Sequence, residues 1–329
     1  MAVTPERSQR GENAVLILAF VWVILFTYDG DVVDAIVDVT DAAGGPRFPE
    51  WLSPWVALAM DVVLILASAP LKRRVAKSDG DSDRLWGWWT SGALLTVGVH
   101  LMMTFTEPSY DAVPRGAHFW LHLLAQVLFV VGMGILLTTA LNANPMTLFS
   151  PKLRDEQPRD WARTHSTLPL IVGSFFAWIA TAVWYPVITP HSAAIGSSAD
   201  QGCPPVVDPQ YFSTMGQVIP ALLITLGIES NYVRQIEATL PVRDPVQRAA
   251  PILTVILLCI AEGLALSALV KKDACGIGAA WLEYLALSVT VQAMAIALAT
   301  LVWMLLVGAA NPPAGSDHRG RRPSPAQRD

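Results

Sequence analysis

Six side chains in this sequence could exchange protons or hold an ion, and all six sit within apolar runs. They are Asp61, His100, His122, Gln126, Gln217 and Glu262. Polar and ionisable groups in such surroundings are expensive, and they mark candidate sites by default. His118, His122 and Gln126 recur at i, i+4 and i+8, which puts them on one face of a helix. Three chemistries fit these residue types. His100, His118 and His122 form a ligand set for a transition metal. Two histidines on facing helices would serve as axial ligands to a haem. Histidine also changes charge near neutral pH, and a neighbouring carboxylate such as Asp61 or Glu262 would couple to it. Glu262 lies near the centre of its run, where a carboxyl can be neutral at rest and ionise when water enters. Against all three stands a plainer use, in which polar groups knit helices together at about 0.6 kcal/mol per contact.

The elements that must carry these groups follow from composition. Of 329 residues, 53% are hydrophobic and 15% are charged. Soluble domains carry about 25% charged residues. Mean hydropathy is +0.44 and net charge is −5. These values exclude a disordered chain, a nucleic-acid binder and an ordinary soluble enzyme. A membrane-crossing helix needs about 20 mostly apolar residues. Eight windows approach or meet that length, at 14–28, 53–70, 86–105, 118–141, 168–189, 212–229, 251–270 and 280–308. Backbone polar groups in lipid must be satisfied within the segment, so the predicted fold is all-α, a polytopic bundle of eight spans.

Basic residues set the orientation. With both termini cytoplasmic, 18 of the 22 Lys and Arg residues fall inside; Arg47, Arg115, Lys271 and Lys272 fall outside. Trp51, Trp55, Trp120, Trp184 and Trp281 then sit at outer ends, and Trp86, Trp88, Trp89, Trp161 and Trp303 at inner ends, where indole prefers to lie. The expected location is therefore a cell membrane, with residues 1–13 as a cytoplasmic N-terminus, 14–308 as the bundle and the Pro-rich, basic stretch 309–329 as a disordered cytoplasmic tail. Arg7 and Arg10 before the short first window also resemble a signal peptide, but Thr27, Tyr28 and Asp29 make a poor cleavage site. Asp31, Asp34, Asp38 and Asp41 share one face of a short amphipathic helix in the first outer loop. The inner segment 71–85 reads as a solvated turn, and 142–167 as a longer inner loop.

Cys203 and Cys275 both fall in outer loops and are candidates for a disulfide; Cys259 reads as a small core residue. No phosphate-binding glycine loop, nucleophile elbow or HExxH motif is present. Pro220, inside the window 212–229, breaks one helical hydrogen bond and frees the carbonyl of Gly216 beside Gln217. Transporters build binding sites from such kinks. Most of the buried polar candidates lie in the outer half of the predicted bundle. That asymmetry points to an outward-facing polar cavity for an ion or small molecule, hence a transporter or receptor and more readily a non-enzyme. The competing functions are a structural membrane subunit and a metal- or haem-dependent redox protein.

Phe212, Ser213, Gln217, Val218, Ile219, Pro220 and Glu229 lie in the segment FSTMGQVIPALLITLGIE. It resembles a stretch found in uncharacterised multi-pass membrane proteins of high-GC Gram-positive bacteria. The resemblance covers 18 of 329 residues. It implies a polytopic bacterial membrane protein and brings no activity with it.

Overall fold

A computed structural model describes residues 52–79, 85–106, 115–188, 207–237, 245–271 and 277–310, with Val21, Trp22, Ile24, Leu25 and Val33. The described residues form helices α1 (Leu52–Asp79), α2 (Trp86–Thr106), α3 (Arg115–Ala140), α4 (Pro151–Glu156), α5 (Pro158–Ile188), α6 (Pro209–Glu237), α7 (Pro245–Val270) and α8 (Ile277–Ala310). No strand occurs among them. Five helices are long and apolar enough to cross a membrane: α1, α3, α6, α7 and α8. The window 86–105 lies within α2, and residues 168–188 lie within α5. Most of the first window, the acidic loop, the tail and both Cys203 and Cys275 lie outside the described residues.

The helices pack as two groups. One is α1, α2 and α3; the other is α5, α6, α7 and α8; α5 packs on α3 and joins them. Small residues set the closest approaches. A Cβ on Gly132 of α3 would stand 2.5 Å from Thr96 Oγ1 and 3.3 Å from the Gly92 carbonyl of α2. A Cβ on Gly173 of α5 would stand 2.6 Å from the Cα of Ile296 on α8. Glycine at these crossings lets two backbones meet, which is how helices pack where lipid removes the hydrophobic drive between them.

α1 corrects one expectation. The segment 71–85 reads as a solvated turn, yet α1 runs through Pro70 to Asp79 and buries Lys72 and Ala76 completely. The cause is a continuous face: Ala57, Asp61, Ile65, Ser68, Lys72 and Ala76 are all buried and follow the 4–4–3–4–4 spacing of one helical side. The connection 141–157 differs too, because α5 already begins at Pro158. Asn144 and Ser150 cap a 3-10 turn (Pro145–Leu148) and α4, each with proline at the first position. Proline's missing N–H costs nothing there. Asn142 adopts the left-handed conformation, φ 54°, that closes α3. Cys259 is exposed instead of buried in the core. Below, "near end" denotes the end of the bundle at this 141–157 connection, and "far end" the opposite one.

Candidate functional site

The deepest ionisable pair joins α1 and α2. Asp61 is completely buried, and its Oδ2 lies 2.5 Å from Nδ1 of His100, whose side chain keeps 17% of its surface exposed. The carboxylate fixes the ring's orientation and directs chemistry to its Nε2, an arrangement seen wherever imidazoles bind metals or relay protons. Asp61 lies nine residues into α1, about 14 Å from its far end at 1.5 Å per residue.

The same face of α1 continues as a polar thread towards the near end. The Trp89 indole N–H donates to Ser68 Oγ at 3.0 Å, and that hydroxyl donates to the Ile65 carbonyl at 2.7 Å. Eleven residues beyond Asp61, or about 16 Å along the axis, Lys72 donates from Nζ to the Thr139 carbonyl of α3 at 3.3 Å. Its ammonium also stands 5.3 Å from the Trp86 ring centroid, and the Arg73 guanidinium stands 5.7 Å from it. Indole faces attract cations, more so when desolvated. Trp22 reaches this group as well, donating to the Leu64 carbonyl at 2.7 Å.

The remaining candidates divide. Gly132 opposite Gly92 and Thr96 sets the antiparallel register of α2 and α3, which brings Gln126, half-buried, to the level of His100. His118 and His122 lie on α3, and their side chains are outside the described residues. The ligand trio His100, His118 and His122 therefore has only one described member. Among the described side chains, no group of three His, Cys, Asp or Glu converges as a metal site. Gln217 and Glu262 are on α6 and α7, in the other group of helices. Gln217 is exposed and Glu262 half-buried. Pro220 is half-buried within α6. Asp61 and His100 are thus brought together, with Gln126 at their level, whereas Gln217 and Glu262 stand apart from them.

Among the buried polar residues, Lys72 falls in a segment that the sequence reads as a turn, whereas Glu283 and Gln292 are legible as polar positions inside the window 280–308. Gln292 of α8 is fully buried and donates to Ser174 Oγ of α5 at 2.9 Å. Glu283 accepts the backbone N–H of Val207 at 3.1 Å, and the Tyr211 hydroxyl lies 2.7 Å from Thr290 Oγ1. The near end carries polar contacts of its own among the described residues. Asp160 accepts the Asn144 N–H at 3.2 Å, and Arg163 donates to the Leu141 carbonyl at 3.2 Å. The Trp303 indole N–H donates to His165 Nδ1 at 3.1 Å, while Trp161 stacks on the same imidazole and carries Arg154 on its ring. Burial, and then the Arg154 charge, push the His165 proton affinity below its ordinary 6.5. One signal for Lys72 was present: Asp61, Ile65, Ser68 and Lys72 are spaced 4, 3 and 4. No family model, no curated protein and no solved structure matches the chain.

Proposed function

We propose that the chain is an integral membrane protein of transporter or receptor type whose Asp61–His100 pair binds and releases a proton. One observation carries this reading: a wholly buried carboxylate sits at hydrogen-bond distance from an imidazole that keeps a strip of exposed surface. Carboxyl–imidazole pairs at membrane depth are the usual parts of proton relays. The membrane setting is supported by the five apolar helices and by the outward-facing Leu66, Leu94, Ile224, Ile256 and Leu306. Continuous exposed apolar surface of this kind needs lipid or a partner to cover it.

In this reading His100 takes the proton from the far-end side and shares it with Asp61. The paired state holds α1 to α2; loss of the proton balance loosens that contact and changes their packing. Proteoliposomes containing the full chain, given an outside acid pulse, should take up protons. Asp61→Asn should abolish uptake while the protein stays folded, and unchanged uptake in that variant would remove the pair from the mechanism.

A structural subunit is the second reading. It is favoured by the local pairing of other buried groups, Ser68 with Trp89, Gln292 with Ser174 and Glu283 with Val207. Under it, wild type and Asp61→Asn behave alike in the proton assay. A metal or haem at His100, His118 and His122 is tested by metal analysis and an absorption spectrum of the purified protein.

A further inference from the structure

Two polar side chains within the apolar part of the bundle are not enclosed by it. Gln217 is exposed on α6, and Glu262 is half-buried on α7. Gln217 is eight residues from Pro209 and Glu262 eight from Val270. Both are therefore about 12 Å from the far end. That depth lies below the headgroups, so neither is explained by contact with the membrane surface. The two helices run antiparallel and touch where Gly216, next to Gln217 in sequence, meets Leu266, one turn from Glu262. Among the described residues, neither side chain has a hydrogen-bond or ion-pair partner.

We infer that this seam is the contact surface of a second copy of the chain. The argument is complementarity. Gln217 offers an amide that donates two hydrogen bonds, and Glu262 offers an acceptor carboxyl. In a two-fold contact, residue i of one copy meets residue j of the other and the reverse. Rotation about an axis through the seam therefore pairs Gln217 of each copy with Glu262 of its mate, satisfying all four groups at one depth. A partner of different sequence would have to supply both chemistries at that depth, whereas a second copy does so by symmetry. Close approach is open to it: the exposed Ala221 lies one turn from Gln217, and a Cβ added at Gly263, beside Glu262, would meet nothing within 4 Å. Small residues flanking polar ones are the usual composition of helix contacts in lipid.

The inference rests on the membrane reading above, and one preparation separates the two. Full-length chain is reconstituted in vesicles, checked by flotation, and its stoichiometry is read by single-molecule photobleaching as lipid is added. The expected result is a dimer in floated vesicles, with Gln217→Leu/Glu262→Leu weakening association by at least about tenfold. A chain that does not float overturns the membrane reading and this inference together. A chain that floats but is monomeric at every dilution overturns this inference alone, as does a dimer indifferent to the double substitution. Should the double variant not fold, Cys259, exposed three residues from Glu262, decides the matter. With Cys203→Ser and Cys275→Ser, oxidation in vesicles should yield a Cys259-linked dimer; persistence of monomer overturns the inference.

Discussion

The two helix groups handle polarity in opposite ways. In α1–α3, one face of α1 carries a fully buried acid and a fully buried base, Asp61 and Lys72, with His100 set against the first. In α5–α8, the contacts are made by small and neutral residues: Gly173 against Ile296, Ala177, Ala293 and Ala297 buried completely, and Gln292 on Ser174. Its buried carboxylates sit at helix starts and each holds a backbone N–H: Asp160 of α5 that of Asn144, and Glu283 of α8 that of Val207. Burying ionised groups costs several kcal/mol each before any pairing recovers it. A bundle able to pack through glycine and alanine has no stability reason to bury them. On the proposed function, the first group is the working part of the molecule and the second its frame.

The largest expected effect separates the groups by kind. Asp61→Ala leaves His100 facing an empty buried site and should destabilise the protein by about 3–5 kcal/mol, the usual consequence of removing one member of a buried pair. Thermal unfolding of detergent-solubilised protein measures it. His100→Ala combined with Asp61→Ala should recover part of that loss. If the double variant loses the sum of the two single losses, the residues are not coupled.

Next comes the frame. Gly173→Leu must drive α5 from α8 because the obstructing atoms are the backbone of Ile296. About 3 kcal/mol of destabilisation is expected, at the upper end for overpacking. Proton uptake per folded molecule should persist, since the pair lies in the other group. Loss of uptake with the fold retained would show that the division into working part and frame is wrong.

A smaller effect is pH-dependent and belongs to the near end. His165 is held below 6.5 by burial and by Arg154, and its neutral Nδ1 accepts the Trp303 N–H. Between the folded and ordinary values the unfolded chain binds more protons, so stability rises with pH there. The contribution is complete above 6.5 and is lost as pH falls through 6.5 towards the folded value. Melting temperature should drop over that window, and His165→Gln, which keeps an acceptor for Trp303, should flatten the drop. A wild-type profile with no fall below 6.5 removes this linkage.

The smallest effect is a control on the glycine argument. Gly98 lies in α2, and an added Cβ would meet nothing within 4 Å. Gly98→Ala should stabilise by up to about 1 kcal/mol through helix propensity, whereas Gly132→Ala, on the Thr96 crossing, should destabilise. Equal effects would mean that the α2–α3 contact is not set by small residues.

How much of this was legible differs by residue. Helices were readable wherever apolar runs exceeded the length of a strand, so seven of the eight windows overlap described helices. The Asp61–His100 pair was legible as two costly residues, because a buried charge stands out against an apolar run whatever its partner. Lys72 was hidden by the same rule that gave orientation, since a basic cluster after an apolar run reads as a loop. What shows it is the phase of α1, not its hydropathy. For Gln217 and Glu262, a single helix reveals polar positions but not which side its neighbours cover, and packing leaves Gln217 exposed and Glu262 half-buried. Asp160, Arg163 and His165 precede the apolar part of α5, so a count restricted to apolar windows omits them.

The central claim is that Asp61 and His100 share an exchangeable proton. Infrared difference spectroscopy of the reconstituted protein reads this directly, with pH stepped through the range where carboxyl and imidazole groups ordinarily titrate. The account predicts a carboxyl C=O band that appears or disappears together with an imidazole band, the carboxyl band absent in Asp61→Asn and shifted in its pH dependence in His100→Gln. A spectrum in which no carboxyl band assignable to Asp61 responds to pH would contradict it.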